Sequence, residues 1–326
     1  MGEIGFNLIK YTSSGLYCEL ADLWIDPNKP VRRAIITHAH MDHFTFGCEE
    51  YISTYETAII LKERIGKGIN IKTYDFCEDF KINGINFSLH SSGHILGSSQ
   101  IKLTLADEKW LITGDFKRQR DETCKEYEKV KTDFIISEST FGLPIFKWDE
   151  PQNIATDITK WVNSSQEKTS ILFCYSLGKA QRLLNEISKT NFKNKIYTHS
   201  SIHKMNNCYK KLGVEVIDTR KFEQKKNNED LKGSLILLPP SLNKNSFIKN
   251  FKEIQTGFAS GWMSIRARRK RSGYDKGFAI SDHADWEAIL NTIKESKAKN
   301  VFFHHGDSEA LNRYLNADKS INVLKL

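Results

Sequence analysis

Residues 37–43, Thr-His-Ala-His-Met-Asp-His, are the densest set of reactive side chains in this sequence, and they directly follow the apolar run Ala-Ile-Ile. Such a run is typical of a buried β-strand. Neutral imidazole nitrogens and carboxylate oxygens are the ligands that zinc-like ions prefer. Because side chains alternate along the exit of a strand, we expect His38 and His40 to bind one ion, and Asp42 and His43 a neighbouring ion. The spacing therefore predicts a site for two divalent ions.

Four ligands do not complete two such sites, so further ligands are expected at the ends of later strands. His94 lies in a glycine-flanked turn after a predicted strand, where glycine permits close backbone approach. Asp115 ends the sequence Thr-Gly-Asp after another predicted strand, and its carboxylate could bridge both ions. Near the carboxyl end, His304 and His305 follow a third strand; we assign His305, next to the glycine, in preference to His304.

The predicted secondary-structure elements that must position these residues follow two different patterns along the chain. Residues 1–143 read mainly as short strands bounded by turn residues, and strands and helices resume from about residue 255. Residues 144–254 alternate between helices and strands, including an expected strand at residues 214–217, which is typical of a parallel sheet. We therefore predict a first domain of residues 1–143 and 255–326, interrupted by an inserted α/β domain of residues 144–254.

Composition narrows the class of protein further. The 326 residues are 39% hydrophobic, and 48 Lys plus Arg against 40 Asp plus Glu leave a formal net charge of +8. This charge favours an anionic partner, most often nucleic acid, although lysine-rich solvated helices explain it equally well. Six cysteines form no C-x-x-C pair and are expected to be reduced, mostly structural thiols. With neither a signal-peptide pattern at the N-terminus nor an apolar run of about 18 residues, we expect a cytoplasmic protein without membrane segments.

The order of these motifs resembles the β-CASP branch of the metallo-β-lactamase superfamily, which comprises nucleases acting on DNA or RNA. The residues that carry the resemblance are those of the first motif, His38 to His43, and then His94, Asp115, Glu138, His283 and His305. Five further stretches look like the bacterial ligase-associated DNA exonuclease family: GLYC at 15–18, STFGLP at 139–144, YSLGKAQR at 175–182, GFASGWM at 257–263 and SDHADW at 281–286. The resemblance runs from about Gly15 to Tyr314. It implies a metallo-β-lactamase αββα sandwich with an inserted β-CASP α/β domain, and a role in DNA repair in association with DNA ligase and helicase.

The resemblance also implies a role for each matched metal-binding residue. One ion would be bound by His38, His40 and His94, the other by Asp42, His43 and His305, and Asp115 would bridge them. Asp26 matches the first family motif and is predicted to orient a ligating imidazole without touching metal; a turn aspartate before Pro27 is the alternative. Zn²⁺ is favoured by the histidines, while Mn²⁺ fits the same mixed ligands.

Two ions would make hydroxide available near neutral pH and stabilise the charge that develops on phosphate. Asp42, Glu138 and His283 make up the predicted catalytic set. His283 is the candidate general acid for the leaving alkoxide, and Glu138 would hold it and raise its protonated fraction. The alternatives are an ordinary edge carboxylate for Glu138 and a residue at a helix N-terminus for His283.

Basic side chains are predicted to hold the nucleic-acid backbone, because phosphate contacts supply most nonspecific affinity. The candidates are Lys179 and Arg182 at a helix start, and Arg266, Arg268, Arg269, Lys270 and Arg271 in one run. Helix-start charges and a solvated loop are the alternative explanations. We therefore predict a metal-dependent exonuclease that hydrolyses DNA phosphodiester bonds. An RNA-processing nuclease of the same branch and a non-catalytic nucleic-acid-binding protein are the alternatives.

Overall fold

The computed structural model describes residues 8–223, 231–243, 251, 253–317 and 319–325. The chain forms two compact units. The first comprises Met1–Arg120, Cys124–Ile145 and His283–Leu326, and the second comprises Asp121–Thr123 and Phe146–Asp282. Among the described helices, none is both long enough and apolar enough to cross a membrane.

The helices and strands follow one another in three blocks. The first block is β1 (Lys10–Thr12), β2 (Gly15–Cys18), β3 (Leu23–Ile25), β4 (Arg33–Ile35), β5 (Glu50–Ser53), α1 (Tyr55–Ile65), β6 (Ile71–Thr73), β7 (Asp79–Ile82), β8 (Ile85–Ser91), β9 (Ser99–Leu105), β10 (Glu108–Ile112) and β11 (Phe134–Ser139). The second is α2 (Pro151–Asn163), β12 (Thr169–Phe173), α3 (Lys179–Ser188), β13 (Ile196–Thr198), α4 (Ser200–Lys211), β14 (Arg220–Lys221), β15 (Leu235–Leu238), β16 (Ile254–Ala259), α5 (Arg266–Arg271) and β17 (Lys276–Phe278). The third is α6 (Trp286–Ser296), β18 (Asn300–Gly306), α7 (Glu309–Leu315) and β19 (Asn322–Val323).

The first unit contains two sheets that share one apolar core. One has the order β1-β2-β3-β4-β5-β6, and the other the order β19-β18-β11-β10-β9-β8-β7. Leu23 and Ile35 from the first sheet pack in the same cluster as Trp110 from the second. Because side chains alternate along a strand, Leu111 belongs to a different cluster, where it packs with Ile289 of α6. The mixed α/β class predicted from the sequence is confirmed.

One edge of the second sheet gathers the ends of the strands that carry candidate residues. Strands β10, β11 and β18 are parallel, and β9 is antiparallel to both β8 and β10. Strands β8, β10, β11 and β18 therefore run in the same direction. His94 and Asp115 follow β8 and β10, while Glu138 and His305 lie near the ends of β11 and β18. This topology explains why residues far apart in sequence meet.

The second unit is built on a parallel sheet with the order β14-β13-β15-β12-β16-β17. Its described pairings are all parallel. Ile171 and Phe173 of β12 pack with Ile236 and Leu238 of β15. Helix α2 begins with Pro151, whose fixed φ and missing amide suit the first turn of a helix.

Two features of the second unit differ from the sequence expectation. Strand β16 pairs with β12, with Ile254 opposite Thr169 and Phe258 opposite Phe173, so residues 255–282 group with the second unit. The boundary therefore lies later in the chain than residue 254. Residues 214–217 form neither helix nor strand, and the strand that joins the sheet there is β14.

Candidate metal centre

The histidine-rich loop of residues 36–43 is fixed at its start by Asp26. The Ile36 amide donates to the Ile52 carbonyl at 2.8 Å and so extends the pairing of β4 with β5. Thr37 donates twice to Asp26, from its amide to Oδ1 at 2.8 Å and from its hydroxyl to Oδ2 at 2.6 Å. The chain is therefore held on both sides immediately before the first histidine.

Four potential ligand atoms converge in one group, which comprises His38, His40, His94 and Asp115 and in which these atoms lie within 4.8 Å of one another. His40 Nδ1 lies 3.0 Å from His38 Nε2 and 3.1 Å from His94 Nε2. Asp115 Oδ2 lies 3.7 Å from His38 Nε2 and 3.8 Å from His94 Nε2. His40 is partly exposed, whereas the other three side chains are buried.

The donor set and its spacing fit a divalent ion. Ligand atoms at about 2.0–2.1 Å from a tetrahedral zinc lie about 3.3 Å apart, close to the spacing observed here. Burial and the neighbouring His43 and His94 hold the pKa of His38 well below its ordinary value, so this imidazole is neutral, as a ligand must be. His38 Nδ1 lies 3.0 Å from the Thr37 hydroxyl, which orients the ring.

His43 lies between two carboxylates. Its Nδ1 is 2.8 Å from Asp26 Oδ2, and its Nε2 is 3.4 Å from Asp115 Oδ2. Burial opposes protonation, but Asp115 and Asp26 outweigh it and raise the pKa of His43 well above the ordinary value. Burial likewise opposes ionisation of Asp115, yet His43 and His283 hold the pKa of that carboxyl well below its usual range. Asp26 can thus orient His43 while Nε2 faces Asp115.

The two other predicted ligands of the second ion, Asp42 and His305, are not members of these clusters. Within the described part of the chain, no group of three or more potential ligand atoms that lie within 4.8 Å of one another includes Asp42 or His305. Both residues are exposed, and the His305 ring centroid is 5.2 Å from that of His43. His304 packs against the ring of Tyr11, and burial with the adjacent His305 lowers its pKa to about 4. The ligands of one ion are therefore assembled more completely than those of the other.

His283 and Glu138 form a hydrogen-bonded pair beside the first group. His283 Nδ1 lies 2.9 Å and 3.2 Å from the two Glu138 oxygens, and 3.8 Å from Asp115 Oδ2. Glu138 is buried, and its Oε1 accepts the Phe116 amide at 2.7 Å. The His283 side chain is 24% exposed. A fixed, buried carboxylate thus holds an accessible imidazole, an arrangement suited to proton transfer.

Two glycine turns allow the ligand loops to pack closely. Gly93 has a φ of +69°, and a Cβ there would lie 2.4 Å from the Lys117 carbonyl oxygen. Gly114 has a φ of +53°, and a Cβ there would lie 2.9 Å from Thr37 Cβ. A side chain at either position would push apart the loops that carry the ligands following each glycine.

Sequence analysis missed two residues that support the centre. Thr37 links Asp26 to the first histidine, and the signal for it was a hydroxyl directly before the His-x-His motif. Lys117 is buried, and its Nζ donates to the His94 carbonyl at 3.1 Å. Its only signal was a position two residues after Asp115, which identifies no partner.

Lys179 and Arg182 contact protein groups, which corrects their predicted role as phosphate ligands. Lys179 is 4% exposed, and its Nζ lies 2.9 Å from Asp282 Oδ2. Arg182 is fully buried and donates to the Ser281 carbonyl at 2.6 Å. Its Nη1 lies 3.5 Å from Asp282 Oδ1, and its Nε lies 3.7 Å from Asp121 Oδ2. Both charges are compensated inside the second unit and are not presented to solvent.

The other predicted basic run forms α5, and its side chains are exposed. These are Arg266, Arg268, Arg269, Lys270 and Arg271. The Arg268 guanidinium lies 3.9 Å from the ring centroid of Trp262, a cation–π contact. The short helix therefore presents a dense positive charge to solvent.

Comparison with known proteins shows similarity to a ligase and to endoribonucleases; no family model matches the chain. A protein named probable DNA ligase from Opitutus terrae is 26% identical over 298 residues, which cover 90% of this chain and 29% of that protein. Cleavage and polyadenylation specificity factor 73 of Drosophila melanogaster is 29% identical over 160 residues, or 47% of this chain and 23% of the relative. Endoribonuclease YSH1 of Kluyveromyces lactis is 32% identical over 119 residues, or 35% of this chain and 15% of the relative. The chain thus spans less than a third of the length of each relative.

Among solved structures, a protein of unknown function from Enterococcus faecalis has a similar fold. Its TM-score is 0.59 at 13% sequence identity, and the match covers 85% of this chain and 76% of that one. At this identity the likeness concerns the fold alone.

Proposed function

We propose that this chain is a metal-dependent nuclease of the β-CASP branch that hydrolyses phosphodiester bonds. The observation that carries the proposal is the convergence of His38, His40, His94 and Asp115 beside the His283–Glu138 pair. The similarity to proteins named endoribonuclease YSH1 supports the same reaction class. Histidine and carboxylate ligands next to a separate proton donor are what two-metal hydrolysis requires.

Two divalent ions are the proposed cofactors, with Zn²⁺ favoured and Mn²⁺ as the alternative. His38, His40 and His94 would hold one ion, and Asp115 would be shared with the second. The second ion would be held by His43 together with the exposed Asp42 and His305. When bound, such ions lower the pKa of water and neutralise phosphate oxygens.

The chain's own residues supply orientation and a proton. Asp26 holds Nδ1 of His43 and so aims Nε2 towards Asp115. The leaving alkoxide needs a proton, and we propose that His283 donates it. Glu138 would keep the donor aligned through its contacts with His283 Nδ1. General acid catalysis of this kind contributes about 10²–10⁴-fold to the rate.

DNA is the proposed substrate. Similarity to the probable DNA ligase extends over 90% of the chain, whereas the similarities to the two RNA-processing relatives cover 47% and 35%. A match along nearly the whole chain favours a function in the same process as DNA ligation. We therefore propose that the chain is an exonuclease that acts in DNA repair in the cytoplasm, in association with DNA ligase and helicase. RNA processing is the second candidate, because one relative is named a cleavage and polyadenylation specificity factor and another an endoribonuclease.

The exposed side chains of α5 are proposed to contact the phosphate backbone. Each phosphate contact with duplex DNA contributes about 0.9 to the slope of log affinity against log salt concentration. We expect Lys270→Ala to lower this slope and to weaken binding of all sequences alike. Lys211→Ala, which removes an exposed lysine from α4, is the matched control. An unchanged slope in Lys270→Ala, measured by fluorescence anisotropy, would remove this residue from the interface.

The central experiment uses end-labelled single-stranded DNA, duplex DNA and RNA of one sequence, with Zn²⁺ or Mn²⁺. The wild type is expected to shorten DNA, and the order of products reports exonuclease action and polarity. His40→Ala should lose activity by about 100-fold or more, since even groups that only orient ligands contribute 10–100-fold. His203→Ala, which removes a partly exposed histidine of α4, is the control.

Three results would contradict parts of the proposal. Cleavage of RNA with intact DNA would support the RNA-processing candidate. Equal activity of His40→Ala and wild type would reject the metal centre. Intact substrates, together with retained DNA binding and less than one metal ion per chain, would identify a non-catalytic nucleic-acid-binding protein.

A further inference from the structure

A separate group of potential ligands in the first unit contains none of the residues of the candidate metal centre. It comprises Cys77, His90 and Glu128. Cys77 Sγ lies 3.4 Å from each Glu128 oxygen and 3.8 Å from His90 Nδ1. His90 Nδ1 lies 2.8 Å from Glu128 Oε1. A sulfur, a nitrogen and an oxygen therefore converge from three separate stretches of chain.

We propose that Cys77, His90 and Glu128 bind a Zn²⁺ ion, with a fourth ligand position open to solvent. With Zn–S near 2.3 Å and Zn–N and Zn–O near 2.0–2.1 Å, tetrahedral ligands lie about 3.6 Å apart across an S···N or S···O edge. The two observed edges that involve sulfur, 3.8 Å and 3.4 Å, match this spacing. The contact between His90 and Glu128, at 2.8 Å, needs to open by about 0.5 Å.

The ligand types select the kind of ion. Thiolate with imidazole and carboxylate suits a borderline-soft cation such as Zn²⁺, whereas Mg²⁺ and Ca²⁺ take oxygen ligands. Cys77 is exposed, so an ion in solution can reach it. This exposure also sets Cys77 apart from the structural thiols expected from the sequence, such as the fully buried Cys18 and Cys174.

Local contacts hold the three ligands in place. The Cys77 amide donates to the Leu89 carbonyl of β8 at 2.8 Å, and its φ is +66°. His90 uses Nδ1 towards the group, while its Nε2 lies 3.0 Å from the Ser88 hydroxyl. A metal-ligating histidine usually has such a partner on its second nitrogen, which fixes the ring. The site therefore needs little rearrangement to bind an ion.

Binding would tie together the segments at the base of the loop that carries His94. The Glu128 amide donates to the Ser91 carbonyl at 2.9 Å, at the end of β8. Gln100 Nε2 donates to the carbonyls of both Ser91 and Glu128, at 2.9 Å and 2.7 Å. An ion bound by His90 and Glu128 would replace their direct contact with bonds to a shared ion. The expected effect of the ion is to hold these segments of the chain together.

Cadmium binding tests the site without any assay of activity. The clusters of the candidate metal centre contain histidine and carboxylate ligands, so a thiolate-to-cadmium charge-transfer band reports the Cys77 site. Wild type should show this band and saturate at one ion for this site, and Zn²⁺ should displace it. Cys77→Ser should lose the band while retaining a native circular dichroism spectrum. The matched control is Cys48→Ser, since Cys48 is partly exposed and lies in no described ligand group.

A second variant separates ligation from a hydrogen-bonded triad that binds no metal. Glu128→Gln keeps the thiol but replaces a carboxylate ligand with an amide, so cadmium affinity should fall by at least about tenfold while a band persists at saturation. Absence of a band in wild type, or an equal band in Cys77→Ser, would overturn the proposal. Failure of Zn²⁺ to displace cadmium would overturn the choice of ion. These outcomes do not depend on whether the chain is a nuclease.

Discussion

Replacing Glu138 with glutamine should separate the proton-donor role of His283 from metal binding. Oε1 of Glu138 accepts the Phe116 amide at 2.7 Å, and both carboxylate oxygens face His283 Nδ1 at 2.9 Å and 3.2 Å. In E138Q the amide oxygen can keep the contact with Phe116, which leaves the amide NH₂ facing Nδ1. An NH₂ group donates and cannot accept, so Nδ1 must become the acceptor and give up its proton. The substitution therefore changes the tautomer of His283 and preserves the shape of its partner.

The expected loss follows from this change. General acid catalysis contributes about 10²–10⁴-fold, or about 3–5 kcal/mol of barrier at 1.36 kcal/mol per tenfold. In a serine-protease triad, the equivalent carboxylate-to-amide change lowers kcat by about 10⁴-fold. We expect E138Q to lower kcat on natural DNA within this range, with metal content unchanged. With bis(4-nitrophenyl) phosphate, whose leaving group needs no proton, the loss should stay below about tenfold.

The matched control is Glu50→Gln, because Glu50 pairs with Arg33 at 2.7 Å in the same unit and lies outside the candidate centre. Its activity on both esters should equal that of the wild type. Equal losses of E138Q on DNA and on the activated ester would refute the reasoning, because a proton donor matters only for the poor leaving group. A fall in bound metal in E138Q would instead assign Glu138 to the metal centre.

Three further outcomes are expected. Gly93→Ala places a Cβ 2.4 Å from the Lys117 carbonyl oxygen and should lower the amount of bound metal, measured by elemental analysis. Gly84 has a similar positive φ but no atom within 4 Å of an added Cβ, so Gly84→Ala should leave the amount of bound metal unchanged. Arg182→Met leaves its carboxylate partners buried and without this cation, so the free energy of unfolding should fall by about 3–5 kcal/mol, seen as a lower urea midpoint. Burial and Glu128 raise the pKa of Cys77, so the Cys77 thiol must release a proton when it binds a metal ion. Cadmium affinity should therefore rise about tenfold per pH unit between about pH 7.5 and 8.5. An affinity that does not change with pH would contradict thiolate ligation.

The first ligand group was predictable because its information is local. His38 and His40 stand two residues apart at the end of an apolar strand, and His94 and Asp115 each follow a strand through a glycine turn. Parallel direction of β8 and β10 then brings their ends to one edge. Strand ends and ligand types are visible in a sequence, and together they identify the four residues that the structure brings within 4.8 Å.

Tertiary partners were not predictable in the same way. Lys179 and Arg182 follow a strand as a phosphate site would, but the pattern carries no sign of Asp282, about 100 residues later. Likewise, Cys77 meets Glu128 across 51 residues of sequence, with no shared motif. The sequence of strand β16 does not indicate which domain the strand belongs to, and only its pairing with β12 assigns it to the second unit. Such contacts depend on sheet register and packing, which a single sequence does not display.

Two of the buried carboxylate clusters in the described part of the chain differ in how their charge is compensated. In the second unit, Lys179 and Arg182 supply fixed cations to Asp282, which makes an ion-pair network. At the candidate metal centre, the described groups that lower the pKa of Asp115 are histidines, chiefly His43 and His283. A histidine can lose its proton and become a ligand, whereas an arginine cannot. In a metal centre, the groups around a buried carboxylate can exchange a proton for a metal ion, whereas in a structural salt-bridge network they cannot. The histidines around Asp115 meet this condition, and this argues for metal binding independently of any family resemblance.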